Sequence, residues 1–201
     1  MSENEKHSEK MKRLKTSKQK IFAKKTVKKG LIIVHTGTGK GKSTAAFGMV
    51  FRGIAHGMPC AVVQFIKGAM ATGERDLIQK YFHELCEFHT LGDGFTWDTQ
   101  DKEKDIASAK KAWGKAKELI QDKEKKIILL DEINIALRYG YIEIDDVVTF
   151  LQEKKPEMSH VILTGRNANE KLINIADLVT DMTLVKHHFR NGVMSQAGIE
   201  F

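Results

Sequence analysis

The sequence contains few cysteines, few prolines and no long hydrophobic run. Its two cysteines, Cys60 and Cys86, are too few for a disulfide framework or a zinc-binding set, so we expect a reducing, cytoplasmic setting. No apolar run approaches the roughly 20 residues that a membrane-spanning helix needs, so we expect no membrane segment. The two prolines among 201 residues mark no linker, and the chain is long enough for one α/β domain.

The positive charge of the chain is concentrated at its start. Of the 33 basic and 26 acidic residues, 11 and 3 respectively lie in residues 1–29, so the remainder is almost neutral. We interpret residues 1–29 as a basic, partly disordered arm with a helical turn around Met11–Phe22. Two more specific alternatives are that the arm contacts nucleic acid or that it becomes ordered over an anionic ligand.

Residues 30–201 form the predicted folded domain. Short apolar runs alternate there with helical patterns, which predicts a P-loop NTPase-like α/β fold with a mostly parallel sheet of about six strands and helices on both faces. The predicted strands are Leu31–Thr36, Cys60–Ile66, Cys86–Leu91, Lys126–Asp131, Ser159–Thr164 and Leu178–Lys186. The predicted helices are Lys42–His56, Glu74–Phe82, Thr99–Gln121, Asp145–Lys154 and Asn169–Ile175.

A glycine-rich turn joins the first predicted strand to the first helix of this domain. In such a turn, glycines let successive backbone N–H groups point at a phosphate, and the helix N-terminus adds partial positive charge. Lys42 supplies an ammonium group, and the Ser43 hydroxyl is suited to Mg²⁺. The residues predicted to bind nucleotide in this loop are Gly37, Thr38, Gly39, Lys40, Gly41, Lys42, Ser43 and Thr44.

The loop departs from the usual spacing of a phosphate-binding loop. The pattern G-x-x-x-x-G-K-[ST] requires glycine at position 36, where this sequence has Thr36. The loop of this sequence also contains an extra lysine, Lys40. The phosphates therefore need not lie in the usual register. No Asn-Lys-x-Asp motif follows, which disfavours specificity for guanine nucleotides.

The apolar segment Lys126–Leu130 ends in two carboxylates, Asp131 and Glu132. In phosphate-loop proteins an acid at the end of such a strand serves Mg²⁺ directly or through water. The two side chains point to opposite sides of the strand, so we expect one to serve the metal and the other to be structural. A capping role for this acidic pair is the alternative.

Two large aromatic residues, Phe95 and Trp97, stand in a Gly-Asp-Gly-Phe-Thr-Trp segment after a predicted strand. Ligand sites of α/β proteins form at the carboxyl ends of such strands. Taken alone, the two side chains are expected to pack the loop onto the core, because most aromatic side chains are buried for packing.

Seven segments, taken together and in this order, resemble the bacterial ATP:corrinoid adenosyltransferases, also called cob(I)yrinic acid a,c-diamide adenosyltransferases. The resemblance extends from about Gly30 to the C-terminus, and the combination is more specific than the phosphate loop alone. The segments are Thr36–Thr44, Val63–Gly68, Leu91–Trp97, Leu130–Asn134, Leu163–Arg166, Lys186–Phe189 and Gly198–Phe201.

The resemblance implies a transferase that moves the 5′-deoxyadenosyl group of ATP to the cobalt(I) of a reduced corrinoid and releases triphosphate. Cobalamin, cobyrinic acid a,c-diamide and cobinamide are the implied substrates, in biosynthesis or salvage of adenosylcobalamin. ATP would lie reversed relative to ordinary phosphate-loop enzymes and would present C5′ to the cobalt. Since cobalt(I) is itself a strong nucleophile, the protein must chiefly position C5′ and neutralise the leaving triphosphate.

The resemblance also implies roles for individual residues. Lys42 would act on the triphosphate, Ser43 and Glu132 would hold Mg²⁺ or Mn²⁺, and Arg52 and Arg166 would contact the nucleotide. Phe95 and Trp97 would displace the lower axial ligand of the corrinoid, which eases reduction of cobalt(II).

The same resemblance implies a homodimer and a reducing flavoprotein as electron donor, with no nucleic acid and no membrane as partner. Two alternatives share the phosphate loop. One is an ATPase or small-molecule kinase, which leaves the Phe95 and Trp97 segment unexplained, and the other is a nucleic-acid-binding ATP sensor that uses the basic arm.

Overall fold

The computed structural model describes residues 2–66, 72–91 and 102–200. Six strands form one sheet in the order β3-β2-β4-β5-β1-β6, and every pair of neighbours is parallel. The strands are β1 (Ile32–Thr36), β2 (Cys60–Gln64), β3 (Cys86–Thr90), β4 (Ile127–Asp131), β5 (His160–Thr164) and β6 (Leu178–Asp181). The predicted parallel α/β sheet is confirmed.

Helices lie on both faces of the sheet, because the central strands are apolar on both sides. The helices of the described residues are α1 (Glu3–Ala23), α2 (Lys42–Ala55), α3 (Gly73–Tyr81), α4 (Lys102–Gln121), α5 (Ile133–Arg138), α6 (Ile144–Lys154) and α7 (Glu170–Ile175), with a 3₁₀ turn at His188–Asn191. None of the helices in these ranges is long and apolar enough to cross a membrane.

The two faces have separate cores. One core joins α2 and α3 to alternate strand residues such as Ile33, Val62 and Leu129. The other core joins the four helices α4, α5, α6 and α7 to the intervening strand residues, such as Val34 and Leu130. Side chains of a strand point alternately to opposite faces, so each strand residue can be assigned to the α2 face or the α4 face.

The helix α1 is longer than the predicted turn around Met11–Phe22. Ser2 caps its start, because the Ser2 hydroxyl accepts the N–H of Glu5 and the Glu5 carboxylate accepts the N–H of Ser2. None of its residues is buried. The arm is therefore helical over most of its length without packing on the core.

Two further elements differ from the sequence prediction. Strand β6 ends at Asp181 and not at Lys186, because its neighbour β1 ends at Thr36, opposite Asp181, and no ladder partner remains. The short helix α5 follows Glu132 directly and was not predicted, because its six residues are too few to show a periodic pattern.

Candidate active site

The loop between β1 and α2 contains two glycines with positive φ. Gly37 and Gly41 have φ of +98° and +103°, a region that L side chains rarely adopt. Gly39 donates its N–H to the Met182 carbonyl, and a Cβ on Gly39 would come within 2.6 Å of that oxygen. The loop is therefore held against the segment after β6 as well as between its own strand and helix.

Lys42 begins α2, and its side chain folds back over the loop. It is only 7% exposed, and its ammonium donates to the Gly39 carbonyl. Burial lowers the pKa of Lys42; Glu132 and Asp181 oppose this shift, whereas Arg166 and Lys40 add to it. The groups around Lys42 thus include two further cations, Arg166 and Lys40, whose repulsion of the Lys42 ammonium an anionic ligand would offset.

A buried hydrogen-bond network connects the loop to the acidic end of β4. The Ser43 hydroxyl donates to Asp131 Oδ1 over 2.8 Å, and Thr164 donates to the same oxygen, also over 2.8 Å. Gln64 donates to Asp131 Oδ2 over 3.1 Å. Asp131 is fully buried, so these three donors stabilise its carboxylate in a fixed orientation.

The prediction favoured Glu132 as the acid nearest the metal, and the contact between Ser43 and Asp131 was missed. The alternation of side-chain directions along β4 could have predicted this contact. Leu129 packs in the α2-side core, and period two puts Asp131 on that same face, toward the start of α2. The same rule brings Gln64 and Thr164 to this face.

Glu132 lies at the turn from β4 into α5. Its φ of +64° is unusual for a residue with a side chain, and its N–H donates to the Thr164 hydroxyl over 2.9 Å. A Cβ on Gly165 would lie 3.1 Å from Glu132 Oε2, so the glycine leaves room for this carboxylate. Arg166, which follows Gly165 in the chain, is exposed.

Several of these residues line one pocket of about 600 Å³ at the carboxyl edge of the sheet. The predicted site residues that line it are Gly39, Lys40, Gly41, Lys42, Ser43, Thr44, Glu132 and Arg166. Gly37 and Thr38 belong to the loop but do not line the pocket. Phe51 and Leu77 add an apolar wall from α2 and α3.

One other predicted residue, Arg52, is placed outside this pocket. Arg52 lies more than two turns along α2 and lines a separate cleft of about 230 Å³, with Leu31 and His160 at the amino ends of β1 and β5. Phe95 and Trp97 lie outside the described residues.

The C-terminal segment closes another side of the pocket and was not predicted to do so. Gly198, Ile199 and Glu200 line it, and the Glu200 carboxylate forms an ion pair with Lys40. His188 Nε2 lies 3.2 Å from the other oxygen of Glu200. Lys40 holds the pKa of Glu200 below its usual value, with smaller contributions from His188 and His187.

Comparison with known proteins identifies the family. The family described as ATP:corrinoid adenosyltransferase BtuR/CobO/CobP matches residues 28–201. The chain belongs to the ATP:corrinoid adenosyltransferase family. This finding confirms the resemblance seen in the seven sequence segments.

Several relatives are named corrinoid adenosyltransferase and match almost the whole chain. One from a Sinorhizobium species is 66% identical over 97% of this chain and 91% of its own length. One from Pseudomonas aeruginosa is 46% identical, covering 98% of this chain and 97% of its own. One from Escherichia coli K12 is 39% identical, covering 98% and 99%. This corrinoid adenosyltransferase family member thus matches its relatives along both arm and domain.

Proposed function

We propose that this chain transfers the 5′-deoxyadenosyl group of ATP to the cobalt(I) of a reduced corrinoid, with the triphosphate of ATP held by the loop of Gly37–Thr44. One observation chiefly supports this assignment of the triphosphate site. Lys42, Ser43, Glu132 and Arg166 line a single pocket, although they come from three separate segments of the chain.

The reaction is a displacement at C5′ of ATP. The cobalt(I) electron pair forms the cobalt–carbon bond while the bond from C5′ to the α-phosphate oxygen breaks, and that oxygen leaves with its electron pair as part of triphosphate. Cobalt is oxidised from cobalt(I) to cobalt(III). No proton transfer is needed at C5′, so the protein needs no general base there.

The task left to the protein is to position C5′ and to stabilise the charge on the leaving triphosphate. Lys42 and the amides at the start of α2 are suited to this task, because an anion at a helix N-terminus meets both N–H donors and a positive dipole end. Arg166, which also lines the pocket, adds a guanidinium group. In this role the Lys42 ammonium moves from the Gly39 carbonyl to a phosphate oxygen.

The donor set also suits Mg²⁺, which prefers oxygen ligands. The Ser43 hydroxyl and the Glu132 carboxylate are the proposed ligands, and the buried Asp131 carboxylate holds the Ser43 hydroxyl from behind. When bound, Mg²⁺ would neutralise charge on the triphosphate. Gln64 and Thr164 fix Asp131, so this side of the site is preorganised.

The first experiment is a product analysis. Incubation with MgATP, a corrinoid and a reductant under anaerobic conditions should give adenosylated corrinoid and intact triphosphate. A kinase or ATPase would instead produce ADP and phosphate, which would contradict the proposal.

An ATP analogue tests which bond is broken. In β,γ-imido-ATP the bond between the two terminal phosphates resists cleavage, but the C5′–O bond is unchanged. The proposed reaction should therefore proceed with this analogue and release imidotriphosphate. Failure of the analogue to react, while it still competes with ATP for binding, would mean that the terminal phosphate takes part.

Phe95 and Trp97 are proposed to displace the lower ligand of the corrinoid before reduction. Phe95→Ala should impair turnover of the cobalt(II) corrinoid by a physiological-strength reductant and spare the reaction with chemically reduced cobalt(I). The two rates are measured from the absorbance of the corrinoid. An equal loss in both assays would mean that Phe95 serves only to pack its segment.

The remaining proposals concern setting and partners. We propose a cytoplasmic homodimer that receives electrons from a reduced flavoprotein and binds no nucleic acid. Analytical ultracentrifugation tests whether the protein is a dimer, and a titration with duplex DNA tests whether it binds nucleic acid. Neutralisation of several phosphates makes binding fall steeply with salt, so strongly salt-dependent binding would favour the nucleic-acid alternative.

A further inference from the structure

The phosphate loop carries a lysine beyond those that the usual pattern requires, and this lysine already has an anionic partner within the chain. Lys40 pairs with the Glu200 carboxylate, which the C-terminal segment brings to the edge of the pocket. The contact joins residues 160 positions apart, so the fold, and not local sequence, creates it.

Glu200 is well placed to remain ionised and to compete with a phosphate. Its side chain is 18% exposed, and it faces Lys40 on one side and His188 on the other. The Lys40 side chain is 44% exposed, so it can turn between the carboxylate and the pocket. Both residues line the pocket that also contains Lys42 and Ser43.

We propose that Glu200 is an internal anion that competes with the triphosphate for Lys40, and that it thereby weakens the hold of the loop on triphosphate. This inference rests on the proposed function, because it assumes that the loop binds the triphosphate. A triphosphate in the pocket attracts Lys40 and repels Glu200, so binding must break the ion pair between them. The benefit to the enzyme is release of triphosphate after the transfer step.

Direct binding of inorganic tripolyphosphate in the presence of Mg²⁺ tests the proposal, with no corrinoid needed. Glu200→Gln removes the charge and keeps the shape of the side chain. Because exposed ion pairs are worth up to about 1 kcal/mol, this variant should bind tripolyphosphate about three- to fivefold more tightly than the unaltered protein. Calorimetry measures the dissociation constants.

The same substitution made in a Lys40→Met variant distinguishes competition for Lys40 from a general effect of the Glu200 charge on tripolyphosphate binding. Lys40→Met should weaken binding. Glu200→Gln added to Lys40→Met should improve binding less than it does in the unaltered protein, because only the direct repulsion between Glu200 and the triphosphate is then relieved. Glu153→Gln, on the exposed surface of α6, is the matched control and should bind as the unaltered protein does.

Three results would overturn the inference. They are unchanged or weaker binding by Glu200→Gln, an equal gain with and without Lys40, and no binding of tripolyphosphate by the unaltered protein. The proposed function is judged separately by the transferred group. If Glu200→Gln binds tripolyphosphate more tightly while ATP yields ADP and phosphate, the competition is real and the transferase assignment of the site is wrong.

Discussion

At the scale of single residues, the site is built from charged groups whose orientations are fixed by neutral ones. Asp131 is fully buried, yet it accepts hydrogen bonds from Ser43, Gln64 and Thr164. Thr164 also accepts the N–H of Glu132, so one hydroxyl serves both acids. Loss of a neutral residue should therefore affect stability and the proposed Mg²⁺ site together.

Lys42 is the residue on which we expect triphosphate binding to depend most. Lys42→Ala should reduce adenosyl transfer about 10²-fold or more, the usual effect of removing one group that stabilises developing charge. The assay measures adenosylated corrinoid at saturating ATP. Lys123→Ala, in the exposed turn before β4, should retain full activity. Near-normal transfer by Lys42→Ala would place the triphosphate elsewhere.

Thr164→Val keeps the shape of the side chain and removes its hydroxyl. The change removes the hydroxyl that accepts the Glu132 N–H and donates to Asp131, so the free energy of unfolding should fall by about 1–3 kcal/mol. Urea denaturation measures the loss. The exposed Thr149→Val on α6 is the control and should change stability little. Equal stability of the two variants would show that the network contributes nothing.

At the scale of elements, the phosphate loop is shaped by what lies beside it as well as by its own glycines. Gly39 contacts Met182, and a Cβ at Gly37 would lie 2.4 Å from Asp181 Oδ1. Strand β6 and the residues after it thus form one wall of the loop. The loop geometry depends on an edge strand that is far away in sequence.

Gly39→Ala tests this wall. Its Cβ would come within 2.6 Å of the Met182 carbonyl and 2.8 Å of the Thr183 carbonyl, so the loop or the wall must move. Overpacking of this kind costs about 1–3 kcal/mol, which predicts a drop in ATP affinity of about tenfold or more. Calorimetry with MgATP gives the affinity.

Gly48→Ala provides the matched comparison. Gly48 lies within α2, where a Cβ would meet nothing within 4 Å. Alanine there should raise unfolding free energy by about 0.5–1 kcal/mol and leave ATP binding unchanged. Equal ATP affinity in the two variants would mean that the wall yields without cost.

The elements that the sequence predicted correctly are those with strong periodicity and local signals. The six strands and the start of α2 were located because apolar runs and the Gly-Lys-Ser turn depend on neighbouring residues. The end of β6 was wrong because it depends on where β1 stops. The ion pair of Lys40 with Glu200 was missed for the same reason, since a contact between distant segments leaves no mark on local sequence.

At the scale of the whole molecule, the point where the arm joins the domain and the pocket lie at opposite edges of the sheet. The arm enters at the amino end of β1, where Lys29 pairs with Asp177 and Gly30 donates its N–H to the Glu157 carbonyl. The pocket lies at the carboxyl edge. These two anchors hold the entry point of the arm, while α1 itself adds no buried surface.

Deletion of residues 2–25 should therefore leave the melting temperature almost unchanged, because no core contact is lost. A deletion of residues 2–30 removes Lys29 and Gly30 as well and should lower it. Differential scanning calorimetry compares the two. A large drop with the shorter deletion would show that α1 stabilises the domain, contrary to the division at residue 29.

The position of Glu200 also bears on how the protein is handled. Any affinity tag or surface-coupling group attached behind Glu200 would emerge beside Lys40 and crowd the mouth of the pocket. A tag ahead of α1 extends an exposed helix instead. Measurements of nucleotide binding on immobilised protein should accordingly be made with the tag on the arm.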